Sequence, residues 1–200
     1  MNTQTAKSLP DPIVTNSSIA SEGKEVAVFA GGCFWGMEGV FEHVKGVNKV
    51  VSGFAGGSAA TAYYDQVSEG NTDHAEVVQI TYDPAQISYG QLLKIFFAVA
   101  HDPTQKDRQG PDVGRQYRSA IFFVNDDQQK IAQNYIQQLT QANIFSSAIV
   151  TELSPLREFY SAEAYHQDFM ARNPSYPYVV IHDRPKLEQL KRQFADIYVN

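Results

Sequence analysis

Apolar residues recur along this 200-residue chain with two periods, and the switches between them mark out its elements. Val26, Val28 and Ala30 alternate with Ala27 and Phe29, which predicts a short strand buried on both faces. Gly31-Gly32 ends it. Met37, Val40, Phe41 and Val44 then fall on one helical stripe, so a helix is expected from Phe34 to Lys45, stopped by Gly46. Val47, Val50 and Val51 suggest a second strand, and Gly53 to Thr72 reads as loop. Glu76, Val78, Ile80 and Tyr82 occupy one face of a third strand closed by Asp83-Pro84. Ser88 with Gln91 has the spacing of a capping box, ahead of an apolar stripe of Leu92, Leu93, Phe96, Phe97 and Ala100. A fourth strand is expected over Gln116 to Val124.

The order β-α-β-β-α-β predicts an α+β protein, a ferredoxin-like two-layer sandwich with helices on one face of an antiparallel sheet. A C-terminal extension adds a helix near 126–141, a strand near 148–153 and helical pieces near 162–170 and 185–194. Residues 1–24, rich in Ser, Thr, Asn and Pro without apolar period, read as a flexible N-terminal tail. Residues 25–200 read as a single domain.

Composition narrows the function. With 43% hydrophobic and 19% charged residues the chain is ordinary globular material. It has no apolar run of about 18 residues that could span a bilayer. A net charge of −6 argues against nucleic acid or an anionic membrane as partner. The N-terminus lacks a basic start followed by an apolar stretch, which points to the cytoplasm. A single cysteine, Cys33, excludes an internal disulfide and a cysteine-rich zinc site.

Cys33 is therefore either a buried spectator or a working thiol. Its place in Gly31-Gly32-Cys33-Phe34-Trp35-Gly36, between a strand and a helix start, favours an anion and hence a lowered thiol pKa. Phe34 and Trp35 follow directly. Successive helix positions point about 100° apart, so one or both should line a concavity beside the thiol rather than share one core stripe. Glu76 shares its strand face with apolar residues; loss of solvation there raises a carboxyl pKa and fits a general acid. His74, two residues earlier, could instead belong to a His-x-Glu metal motif, or could activate Cys33 as in a thiol peroxidase or cysteine hydrolase. A non-catalytic binding module with a buried thiol is a third possibility.

Gly-Cys-Phe-Trp-Gly resembles the active-site signature of the type A peptide methionine sulfoxide reductases. Further segments resemble that family in order: YDQVSEGNTDHAE (64–76), Tyr82-Asp83-Pro84, HDPTQ (101–105), DVGRQYRS (112–119) and YHQD (165–168). The resemblance runs from about Val26 to Arg192. It implies that Cys33 attacks the sulfoxide sulfur and becomes a sulfenic acid, with Glu76 as the proton donor. It further implies that Tyr64 and Tyr117 donate to the sulfoxide oxygen, that Asp112 orients substrate or backbone, and that Phe34 and Trp35 wall the methyl pocket. His74 and His166 become structural support. The implied substrate is methionine-S-sulfoxide, free or in oxidised proteins, handled by a monomer with neither metal nor cofactor.

Two departures stand out. Many family members carry one or two further cysteines that resolve the sulfenic acid. This chain has none, so thioredoxin, or glutaredoxin with glutathione, is expected as external reductant. Asp73 stands where glycine is common, and only a local change is expected there.

Overall fold

The computed structural model describes residues 8–16 and 23–200. In chain order the main elements are β1 (Glu25–Gly31), α1 (Phe34–Glu42), β2 (Val47–Ala55), α2 (Tyr64–Ser68), β3 (Ala75–Tyr82) and α3 (Tyr89–Ile95). They continue with β4 (Arg108–Gln109), β5 (Asp112–Val113), β6 (Ser119–Phe123), α4 (Asp126–Gln141), β7 (Glu152–Pro155), β8 (Phe159–Ser161), α5 (Phe169–Arg172) and α6 (Arg184–Gln193).

Six strands form one sheet in the order β7-β6-β1-β3-β2-β8, and β4 and β5 make a separate two-stranded ribbon. Neighbours in the large sheet are antiparallel except β6 and β7. The result is a mixed α/β fold whose sheet is wider than the four-stranded core expected: the strand expected near 148–153, found as β7 at Glu152–Pro155, and the unexpected β8 extend it at its two edges. The side-chain alternation of β1 explains why both faces are buried. Ala27 and Phe29 join a large cluster with Met37, Val40 and Phe41 of α1 and Leu92, Leu93 and Phe96 from α3 and its continuation. Val28 and Ala30 join a smaller one with Val77, Ala120 and Phe122, covered by Leu156 and Phe159.

Local chemistry sets several boundaries. Ser88 Oγ accepts the Gln91 N–H, and Gln91 Oε1 accepts the Ser88 N–H, a complete capping box. α1 ends at Glu42 rather than Lys45, where the His43 N–H turns back to the Val40 carbonyl. β2 runs on to Ala55 because β3 pairs it as far as Ala55↔Ala75, and the expected loop beyond it contains α2. The fourth expected strand starts only at Ser119, since Arg115–Tyr117 forms a tight 3₁₀ turn.

Part of the expected tail is held in place. Leu9 is buried, the Tyr135 hydroxyl donates to the Pro10 carbonyl at 2.9 Å, and Gln138 brackets Asp11 and Ile13 through two further hydrogen bonds. The Gly90 N–H donates to the Thr15 carbonyl at 2.8 Å. Residues 8–16 therefore lie along α3 and α4; the rest of that expectation, residues 1–7 and 17–22, falls outside the described residues. Among the described residues no helix is long and apolar enough to cross a membrane.

Candidate active site

A cavity of about 210 Å³ opens at the start of α1, and all seven residues singled out in the sequence line it: Cys33, Phe34, Trp35, Tyr64, Glu76, Asp112 and Tyr117. They come from five separate elements. Cys33 is the N-cap of α1, Tyr64 begins α2, Glu76 is the second residue of β3, Asp112 opens β5, and Tyr117 ends the 3₁₀ turn before β6.

Glu76 sits on the apolar face of β3 at only 2% exposure, and the Phe34 backbone N–H donates to its Oε2 at 3.0 Å. Burial dominates its electrostatics and raises its pKa to about 8, with Asp112 adding to the rise and the Phe34 hydrogen bond opposing it. The carboxyl is therefore protonated at neutral pH. Tyr64 is raised to about 12, and Tyr117 is raised further, both chiefly by burial and next by Glu76. These phenols keep their protons and can only donate to a bound oxygen.

The thiol departs from expectation. A helix start favours a thiolate, yet Cys33 is buried, and burial pushes the thiol well up, helped by Glu76 and Asp183. The Trp35 backbone N–H and Lys186 act against that rise and do not overcome it. Loss of solvation outweighs the helix terminus, so the resting residue is a neutral thiol.

Trp35 is fixed from several sides. Its ring stacks on Phe169 with centroids 3.8 Å apart, and Tyr176 and Tyr178 meet it edge-on at 6.1 and 5.9 Å. Its indole N–H donates to His166 Nδ1 at 3.1 Å. His166 is buried and its pKa is lowered by desolvation, which keeps the ring neutral and able to accept. Phe34 lies between Phe54 and His166, with ring centroids at 5.7 and 5.1 Å.

Tyr176 and Tyr178 complete the cavity and were missed in the sequence. They flank Pro177 in a stretch without apolar period, and only the density of aromatics there could have marked them. The Tyr178 hydroxyl donates to Asp112 Oδ2, which fixes that carboxylate at the cavity wall. Asp183 and Lys186, beside the first turn of α1, were missed as well.

His74 is buried outside this cavity. Its Nδ1 accepts the Gly57 N–H at 3.2 Å and its Nε2 donates to the Ser58 carbonyl at 2.9 Å. With both ring nitrogens held by backbone, it has none left to activate Cys33 or bind a metal. Asp73 has no positive φ, and its carbonyl accepts from Arg118 at 3.0 Å, so the position places no strain on the loop. Among the described residues one acidic cluster, Glu38, Glu42 and Asp168, has the spacing of metal ligands, and none of its members lines the cavity.

Comparison with known proteins places these features in a family context. The family described as "Peptide methionine sulfoxide reductase" matches residues 25–197. A relative from Synechocystis sp., "Peptide methionine sulfoxide reductase MsrA 2", is 55% identical over 96% of this chain and 90% of its own length. The reduced form of Mxr1 from Saccharomyces cerevisiae superposes with a TM-score of 0.72 at 32% identity, covering 80% of this chain and 93% of that one. Methionine sulfoxide reductase A of Corynebacterium diphtheriae gives a TM-score of 0.66 at 36% identity, over 79% and 80%.

Proposed function

The chain belongs to the peptide methionine sulfoxide reductase family, and from that premise we propose how its cavity reduces methionine-S-sulfoxide. The observation that carries the reading is the meeting of one thiol, one protonated carboxyl and two un-ionised phenols around a cavity with aromatic walls.

The sulfoxide oxygen takes hydrogen bonds from Tyr64, Tyr117 and the Glu76 carboxyl, while the S-methyl group lies against Phe34 and Trp35. Glu76 protonates the oxygen, which makes the sulfur electrophilic, and Cys33 attacks it. The oxygen passes to Cys33, so the thiol is oxidised to a sulfenic acid and the sulfoxide is reduced by two electrons to methionine. Because Cys33 rests as a neutral thiol, its ionisation belongs to the complex with substrate. There the bound oxygen takes the Glu76 proton and the carboxylate left behind takes up the Cys33 proton as the sulfur attacks. Thiolate and carboxylate thus never stand side by side, and Glu76 ends the step protonated. Asp112, held by Tyr178, orients substrate or backbone at the cavity wall.

With one cysteine in the chain, the sulfenic acid is resolved from outside. A first external thiol expels water and leaves a mixed disulfide on Cys33; a second releases the thiol and an oxidised partner. Thioredoxin, or glutaredoxin with glutathione, supplies both thiols. Mxr1 has been crystallised in complex with Trx2, which supports a partner of that kind. Because such reductants keep thiols reduced in the cytoplasm, that compartment suits the proposed cycle. Every residue that lines the cavity falls within 25–200, which supports reading that span as one catalytic domain, and a monomer remains the expected state. The inner strand order β6-β1-β3-β2 supports a ferredoxin-like core enlarged by two edge strands.

The test uses racemic methionine sulfoxide with dithiothreitol as reductant. The S epimer alone should be consumed, and Cys33→Ser should abolish turnover; consumption of the R epimer, or of neither, overturns the reading. Replacing dithiothreitol by thioredoxin, or by glutaredoxin with glutathione, identifies the recycling partner.

A further inference from the structure

Asp183 is fully buried, and neither of its carboxylate oxygens has a hydrogen-bond partner. It presses against the first turn of α1, where Gly36 makes room for it. A Cβ on Gly36 would collide with Asp183 Oδ1 and stand 3.0 Å from Lys186 Nζ. Lys186, on the first turn of α6, turns inward with its side chain 19% exposed, and its ammonium lies 3.7 Å from Asp183 Oδ1. That separation gives an ion pair but no hydrogen bond. A buried carboxylate so poorly satisfied is costly, and beside a thiol it opposes the thiolate. The arrangement makes chemical sense if its use is to hold a cation at the start of α1.

We propose that Lys186 and Asp183 act as an electrostatic positioning pair for the reaction, the Lys186 ammonium supporting the Cys33 thiolate and the Asp183 carboxylate holding that ammonium at the first turn of α1. Asp183 raises the Cys33 pKa and Lys186 lowers it, in agreement with this geometry. The other groups facing the thiol do not supply the missing positive charge. Glu76 raises the thiol pKa as Asp183 does, and Tyr64, Tyr117 and Tyr178 are held un-ionised, with Asp112 bonded to Tyr178. The His101 ring, packed under Gly31, is lowered to about 4 by burial and carries no charge at neutral pH. His182 acts on Asp183 from the preceding turn. Lys186 is thus the cation that acts on Cys33 from the first turn of α6, against the carboxylates around the thiol.

The inference rests on Cys33 being the nucleophile, so its test reads the thiol without substrate, with sulfoxide turnover measured separately. The rate of Cys33 carbamidomethylation by iodoacetamide is followed by mass spectrometry from pH 6 to 10. Lys186→Met should move the profile to higher pH and slow alkylation at pH 8 about three- to tenfold. Asp183→Asn removes a charge that opposes the thiolate and should move the profile to lower pH and speed alkylation by a similar factor. Lys186→Met made in that background should slow alkylation by less than it does in wild type, because the ammonium is no longer held. Lys186→Arg should restore the wild-type profile. Asn is isosteric with Asp and Lys186 is partly solvated, so both positions tolerate the exchange. A general packing defect would shift both variants the same way and would not be rescued by arginine; that outcome overturns the proposal. Unmoved profiles, or a Cys33 inert at every pH in the wild-type protein, overturn it too. Opposite shifts without sulfoxide turnover would uphold the pair and reject the reductase reading instead.

Discussion

The backbone N–H of Phe34 donates to Glu76 Oε2 at 3.0 Å, so the residue next to the nucleophile on α1 aims the carboxyl that β3 delivers. This bond joins two elements whose sequence positions lie 42 residues apart. It also leaves the other oxygen of this cavity-lining carboxyl outside that bond. Because burial raises Glu76 to about 8, its acid form persists at neutral pH and is lost as pH climbs through that value. Turnover should therefore fall on the alkaline side of about pH 8. Glu76→Gln should lower kcat about 10²- to 10⁴-fold, the range of one general acid, and should abolish that alkaline limb. Steady-state pH profiles of the two proteins check both points; full activity of the variant at neutral pH would reject the acid role.

Trp35 offers a different kind of test. Its indole N–H bonds to His166 while its face rests on Phe169, so ring position and ring polarity can be separated. Trp35→Phe keeps an aromatic wall but removes the hydrogen bond, worth about 1 kcal/mol. KM for methionine sulfoxide should rise about fivefold with kcat little changed, since the wall positions substrate without touching the transferred oxygen. A fall in kcat at constant KM would place the indole at the reacting atoms instead.

The seven residues singled out in the sequence all reach the cavity, but by different routes of inference. Cys33 and Glu76 were legible from local physics, one as the only thiol at a helix start and the other as a carboxyl on an apolar strand face. Tyr64, Tyr117 and Asp112 have no such signature, and only family segments distinguished two tyrosines from eleven. Periodicity located β1, β3 and α4, where burial on one or both faces repeats regularly. It missed Tyr176, Tyr178, Asp183 and Lys186, because tertiary contact picks out single residues on turns and helix starts without repeating a pattern. The charge state of Cys33 was misread for a related reason: the helix start is visible in sequence, whereas the depth of burial opposing it is a property of the packed whole.

Residues 8–16 illustrate the same limit and invite a stability measurement. Leu9 joins the main apolar cluster, and the Lys94–Asp11 ion pair at 2.7 Å adds little, since Asp11 is largely exposed. Leu9→Ala should destabilise the protein by about 2 kcal/mol, the lower end for a buried leucine. Sulfoxide turnover should stay within about twofold of wild type, because Leu9 does not line the cavity. Urea denaturation and steady-state assays on one preparation test the two halves; unchanged stability would mean that the segment's contacts do not persist in solution.

The acidic cluster on α1 predicts how stability depends on pH. Glu38 and Glu42 lie one turn apart, and with Asp168 their carboxyl oxygens fall within 4.8 Å of one another. Glu38 Oε2 accepts the Asp168 N–H at 3.0 Å. Burial comes first in both cases; repulsion by Asp168 then helps raise Glu38 to about 7, and repulsion by Glu38 helps raise Glu42 to about 8, each from 4.5. Between 4.5 and these values the folded protein binds protons that the unfolded chain has released, so stability falls as pH rises through that window. His101, lowered to about 4 from 6.5, acts in the opposite sense below pH 6.5, which makes the interval from 6.5 to 9 the informative one. Glu76, also raised to about 8, contributes to the same decline in wild type and variant alike. Glu42→Gln removes one raised carboxyl, so the unfolding free energy should fall less steeply over this interval than in wild type. Urea titrations at pH 6.5 and 9 measure the difference, and an unchanged slope would show that the cluster does not share protons as its geometry requires.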